Sequence, residues 1–147
     1  MSKPQVICIG EALIDKIINK SDSNFKNCLG GAPANVGFAL RKLHVPTAFI
    51  GCLGDDDFGR KFIKLFQKFD INIDFLQIDK QFSTRVVKVV RDDSGDRSFS
   101  GFEITNSNAF ADEMLDKLLI NNNMKKLKKQ FLKTKYIVTG TNLLAFP

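Results

Sequence analysis

Short apolar runs alternate along this chain with helices that carry one apolar face, and that alternation constrains the fold more than any other feature. Gln5–Ile9 is a brief apolar run that stops at Gly10, the pattern of a buried strand. Ala12–Ile18 continues apolar around Asp15 and Lys16, and polar Asn19–Asn27 reads as a turn or loop. Pro33–His44 is the first helix: Val36, Leu40 and Leu43 fall at i, i+4 and i+7, with Ala39 on the same face. Pro33 suits a first helical turn, where a missing N–H costs nothing. Thr47–Gly51 reads as a second strand and Asp57–Phe69 as a second helix, entered through Asp55, Asp56 and Asp57, which can cap free N–H groups. Phe58, Phe62, Leu65, Phe66 and Phe69 form a stripe that belongs to a core rather than to a ligand. From Phe75 the pattern turns strand-like. Valine-rich Arg85–Arg91, the turn "DDSGD" and Arg97–Phe102 read as a hairpin. Asp112–Leu119 and Met124–Lys133 read as helices split by "NNN", and Tyr136–Gly140 as a last strand. Strands alternating with amphipathic helices imply an α/β layered fold with a largely parallel sheet. The hairpin does not fit a plain doubly wound pattern and reads as an edge ribbon or a flap over a site.

Bulk properties narrow the function classes. The 147 residues suffice for one modest domain with a real core, and 44% apolar residues make the composition globular. No apolar run approaches the roughly 18–20 residues of a membrane-spanning helix. Met1–Ile9 lacks a secretory h-region and cleavage pattern. The net charge of +6 does not signal nucleic acid. The first 120 residues balance 16 basic against 16 acidic side chains, and the excess lies wholly in Lys125, Lys126, Lys128, Lys129, Lys133 and Lys135. Such a lysine-rich helical face is ordinarily a solvated surface, and no arginine is interleaved as in single-strand binders. Cys8, Cys28 and Cys52 are odd in number and far apart, which suggests free thiols in a reducing cytoplasm rather than a disulfide framework.

One stretch asks for more than a core helix would. "CLGGAPANVGFALRKL", residues 28–43, opens its helix with two glycines and places Asn35 in the first turn. Without Cβ atoms, Gly30 and Gly31 let a ligand approach backbone closely, next to helix N–H groups that lack partners. The Asn35 amide offers donors and an acceptor together, which suits a polyhydroxylated ligand. The stretch is neither the G-x-G-x-x-G dinucleotide fingerprint of a dehydrogenase nor a P-loop. Asp15, set in "GEALIDKI" just past the first strand, stands where α/β sheets bind ligands. From spacing alone the glycines equally make a tight strand-to-helix turn, and Asp15 equally reads as a solvated carboxylate or a partner of Lys16.

Taken together, "ICIGEALIDKI", "GGAPANVGFALRKL" and "FIGCLGDDDFGRKFIKLF" resemble the opening of a PfkB-family, ribokinase-like sugar kinase, fructokinases above all. "STRVVKVVRDDSGDRSF" resembles the family's lid-strand pair and "NAFADEML" the helix entry after it, so the resemblance runs through essentially the whole chain in order. It implies a ribokinase-like fold with a small β-lid, its segments at about 16–27 and 84–102. It implies that Asp15 accepts sugar hydroxyls, that Gly30 and Gly31 let the sugar reach backbone, that Asn35 also holds it, and that Phe102 lies at the inner face of the lid. For the complete enzyme it implies ATP with Mg²⁺ as phosphoryl donor, a small-molecule sugar as acceptor, a cytoplasmic location and a lid-mediated homodimer as one assembly the family uses. Neither nucleic acid nor membrane is implied as a partner.

Two local departures stand out. Arg85 follows Thr84 where the family often has a small residue, and "NAFADEML" replaces the usual "NPSADML". A larger one concerns chemistry. Family members of about twice this length carry a Gly-Ala-Gly-Asp turn that supplies a base and a phosphate-binding helix end, and no such turn occurs among these residues. The expectation is therefore a sugar-recognition half without catalytic residues or metal ligands of its own, inactive alone. The end at "NLLAFP", just past a predicted core strand, favours a fragment of a longer product. The alternative is a non-catalytic sugar-binding or regulatory module on the same half-fold.

Overall fold

The computed structural model describes residues 3–21, 24–103, 109–115 and 124–142. Strands β1 (Val6–Ile9), β4 (Thr47–Ile50) and β9 (Tyr136–Thr139) form a parallel sheet in the order β4-β1-β9. Cys8 pairs with Phe49 on one side and Val138 on the other. Helix α1 (Ala32–Lys42) lies between β1 and β4 in the chain and packs on both. This is the crossover expected from the alternating pattern. A second parallel pair joins β5 (Cys52–Gly54) to β6 (Gln77–Asp79), either side of helix α2 (Asp57–Lys68). Helix α3 spans Met124–Phe131, and Ala111–Met114 make a single 3₁₀ turn.

The predicted hairpin is present as β7 (Val86–Arg91) and β8 (Arg97–Phe102), joined through Asp92–Asp96. It belongs to a separate four-stranded sheet, β3-β2-β7-β8, with β2 (Leu13–Asn19) parallel to β7 and antiparallel to β3 (Phe25–Gly30). The hairpin is thus half interior and half edge.

Phenylalanines centre the core, as the α2 stripe requires. Phe62 and Phe66 are fully buried, and Phe66 stacks on Phe49 at 4.8 Å and on Phe38 at 5.2 Å between ring centroids. Aromatic pairs at such distances add about 0.5–1.5 kcal/mol beyond their buried area. Cys8 and Cys52 are buried free thiols, and burial raises them to about 11 and about 12.

Several sequence expectations need correction. The segment read as a loop at Asn19–Asn27 holds the start of β3 from Phe25. Its outer residues are exposed at a sheet edge, so they show none of the apolar alternation that marks a half-buried strand. The α1 face that is buried is Pro33, Ala34 and Gly37, small residues set against β1, while Val36 and Leu43 are 37% and 72% exposed. The strand-like stretch after Phe75 shrinks to the three residues of β6. Of the helix expected at Asp112–Leu119, the described part is the 3₁₀ turn to Met114 and the α-helical Leu115, and residues 116–119 lie outside the described set.

Candidate functional site

A cleft of about 470 Å³ opens where the two main sheets meet, beyond the carboxyl end of β1. Elements far apart in sequence build it. Glu11 follows β1, and Leu13 and Asp15 come from β2. Gly31, Ala32 and Asn35 come from the entry to α1, Arg85 and Val87 from the start of β7, Phe99 and Phe102 from β8, and Asn142 from beyond β9. Of the five residues singled out from sequence, Asp15, Gly31, Asn35 and Phe102 line this one cleft. Gly30 lies directly behind Asp15: a Cβ there would run into the Asp15 carboxylate. Its side is closed to any larger residue for that reason, and its contribution is room for Asp15.

Gly31 is the N-cap of α1 and adopts φ 99°, a conformation that side chains rarely take. A Cβ at Gly31 would lie 2.6 Å from the Glu11 carbonyl oxygen. The N-cap glycine has no side chain of its own to accept from the helix N–H groups. The Glu11 carboxylate, buried at 5% exposure, accepts from the Ala32 N–H at 3.2 Å through Oε1 and so ties the bend to the end of β1. The Asn35 side chain is exposed on the first turn, and it has no hydrogen-bond partner among the described residues.

Asp15 sits mid-strand in β2 opposite Cys28 and beside Val87. Burial pushes its carboxyl above the usual carboxylate range, and the charge of Arg97 on β8 pulls partly the other way. Its oxygens meet no donor among the described residues. A half-buried carboxylate and a primary amide facing one cleft supply acceptors and donors for hydroxyl groups. Phe102, half exposed on β8, supplies an apolar wall.

The sequence marked Arg85 only as a departure; the structure puts it in the cleft wall. Its side chain is 6% exposed and pairs with Asp112 at 2.9 Å and Glu113 at 2.8 Å. Its guanidinium carbon stands 5.1 Å from the Phe102 ring centroid and 4.5 Å from that of Phe110. Both local departures, Arg85 and the "NAFADEML" stretch, therefore meet in one buried cluster. Glu11 was legible only as part of a quoted motif, and Val87, Phe99 and Asn142 carried no signal. No group of three or more His, Cys, Asp or Glu side chains suited to a metal ion occurs among the described residues.

Comparison with known proteins fits this geometry. Residues 3–137 match the profile of the pfkB family carbohydrate kinases. The aminoimidazole riboside kinase of Salmonella typhimurium is 41% identical over 96 residues, covering 65% of this chain and 30% of that protein. The fructokinase of Vibrio alginolyticus is 40% identical over 96 residues, covering 65% and 31%. A crystal structure of fructokinase from Xylella fastidiosa superposes with TM-score 0.76 at 28% identity, over 96% of this chain and 42% of that one. The structure of Xylella fastidiosa fructokinase with bound ATP gives TM-score 0.65 at 34% identity, over 77% and 33%. The chain thus spans about a third of the length of the curated relatives it matches. With a mixed α/β fold of largely parallel sheets and a profile match along nearly its whole length, the chain belongs to the pfkB family of carbohydrate kinases.

Proposed function

We propose that this chain is the sugar-recognition part of an ATP-dependent carbohydrate kinase of fructokinase type, and that it does not catalyse phosphoryl transfer alone. One observation carries the reading: Asp15, Asn35 and Gly31 converge with Phe102 on a single cleft, although β2, α1 and β8 are distant in sequence. The Asp15 carboxylate accepts sugar hydroxyls, the Asn35 amide both donates and accepts, and the Gly31 bend brings backbone within reach. The β3-β2-β7-β8 sheet acts as the lid, with Phe102 against an apolar face of the sugar.

Phosphoryl transfer further requires a positioned nucleotide with its metal and a group that orients the attacking hydroxyl. The residues described here do not fit that second role, since they contain no Gly-Ala-Gly-Asp turn and no metal-ligating cluster. No step through ATP is therefore assigned to them.

Calorimetric titration of the 147-residue chain with D-fructose tests the proposal. The expected result is saturable binding that weakens at least about tenfold, or about 1.4 kcal/mol, in Asp15→Ala and in Asn35→Ala. A coupled assay should detect no fructose-dependent ATP turnover. Turnover by 1–147 that vanishes in Asp15→Ala would overturn the claim of inactivity. A folded chain that binds no sugar would overturn the recognition claim.

A further inference from the structure

The buried cluster around Arg85 says which sugars the cleft admits, an inference that rests on the sugar-recognition reading above. An arginine in a cleft wall ordinarily signals an anionic ligand, because a guanidinium pairs well with carboxylate or phosphate. Here that capacity is directed inward. Arg85 Nε donates to both Asp112 oxygens, at 2.9 and 3.2 Å, and its Nη2 donates to Glu113 at 2.8 Å. The Asp112 and Glu113 side chains are 7% and 18% exposed, so solvent screens these pairs poorly. Among the described residues, one cation held by two carboxylates leaves the cluster with a net negative charge. In front of it, Glu11 and Asp15 add two more carboxylates to the cleft lining. The cation whose charge acts on Asp15 is Arg97, which is exposed on edge strand β8.

We infer that Arg85 is a specificity-determining residue that works by being saturated: paired with Asp112 and Glu113, it excludes anionic sugars and holds Phe102 as a flat wall for an uncharged one. An incoming carboxylate or phosphate meets carboxylates at the front and a neutralised guanidinium at the back. Like-charge contacts of this kind discriminate by repulsion rather than by better contacts to the preferred ligand. The two rings flanking the guanidinium, 5.6 Å apart, fix Phe102 without using any cleft-facing hydrogen bond. Glu113 is the element that completes the saturation. It lies behind Arg85, outside the cleft lining, and "NAFADEML" is one residue longer than "NPSADML".

The test is a pair of titrations, D-fructose and D-gluconate, on the 147-residue chain and its Glu113→Gln variant, with folding checked by circular dichroism. The wild-type chain should favour fructose over gluconate by about tenfold or more. Glu113→Gln keeps the shape and an acceptor but removes a charge, so the preference should shrink about fivefold through tighter gluconate binding, with fructose affinity held within about twofold. Asp112→Asn serves as the second variant should Glu113→Gln fail to fold, with the same expected shift. An unchanged ratio in whichever variant folds, or a wild-type preference for gluconate, overturns the inference. If fructose binding is nonetheless lost in Asp15→Ala, the sugar-recognition reading survives that failure. A folded wild-type chain that binds neither sugar removes the reading and this inference together.

Discussion

Two helix entrances in this molecule are built from similar letters and end up opposite in kind. "GGAPAN" opens α1 and "GDDDFG" opens α2; both combine glycine with small polar residues ahead of an amphipathic helix. At α2 the polar groups are consumed internally. Asp56 is the N-cap and accepts from the Gly59 N–H at 2.7 Å. It also accepts from the Thr84 N–H at 2.7 Å and the Thr84 hydroxyl at 3.0 Å. Thr84 Oγ1 in turn accepts from the Gly54 N–H at 3.0 Å. At α1 the N-cap is a glycine, only the Ala32 N–H finds a carboxylate, that of Glu11 at 3.2 Å, among the described residues, and the Asn35 side chain faces the cleft without a described partner. The lesson is that a helix entrance whose donors and acceptors close on each other is architecture, while one left open over a cleft is available for a ligand.

The largest effect expected from breaking this comparison is at the closed entrance. Asp56→Ala removes the cap and strands the Thr84 N–H, together worth about 3 kcal/mol. Urea unfolding monitored by circular dichroism should show that loss, while fructose affinity per folded molecule stays within about twofold because Asp56 lies outside the cleft. A loss under about 1 kcal/mol would mean that the closed entrance is no more structural than the open one.

Next in size comes the bend of the open entrance. Gly31→Ala forces a side chain into φ 99° and against the Glu11 carbonyl. The expected cost is about 2 kcal/mol of stability. Unlike Asp56→Ala, it should also weaken fructose binding by about tenfold or more, because the strain relaxes by moving the α1 entry that carries Asn35. Equal affinity in Gly31→Ala and wild type would show that the bend serves only the turn, the reading that spacing alone left open.

How far these differences could be read from sequence depends on the range of the interactions. The α2 entrance was legible because capping is local: Asp56 and Gly59 are three residues apart. The alternation of elements was legible for the same reason, since periodicity is a property of each segment. The partner that closes the entrance was not, because Thr84 lies 28 residues from Asp56 and nothing near either announces the other. Arg85 illustrates the same limit. Its position looked like an isolated oddity until folding placed Asp112 and Phe110 around it. The α1 face was misread because residue size decided it. Gly37 and Ala34 let the helix approach β1 closely, a geometry that favours small residues over the apolar spacing of Val36 and Leu43.

The smallest effect is the response of Asp15 to pH. Asp56 is ringed by donors, while Asp15 is half-buried without one, and burial raises its carboxyl above the usual range despite Arg97. A carboxyl raised in the folded state binds its proton more tightly there than in the unfolded chain. Charging Asp15 therefore weakens the fold as pH rises from the ordinary carboxylate range through the raised value, and the penalty is complete above it. With solvent screening at a half-buried site, that penalty is under about 1 kcal/mol, visible as a pH-dependent stability difference between wild type and Asp15→Asn. Sugar binding runs in the opposite sense, because hydroxyl donors need the charged carboxylate. Affinity should fall on acidification at a pH above the ordinary aspartate range, and Arg97→Ala should move that fall further upward by removing the opposing charge. An acid limit at the ordinary aspartate value, unmoved in Arg97→Ala, would mean that Asp15 is not the group that grips the sugar, and the open entrance would lose the carboxylate that gives it a purpose.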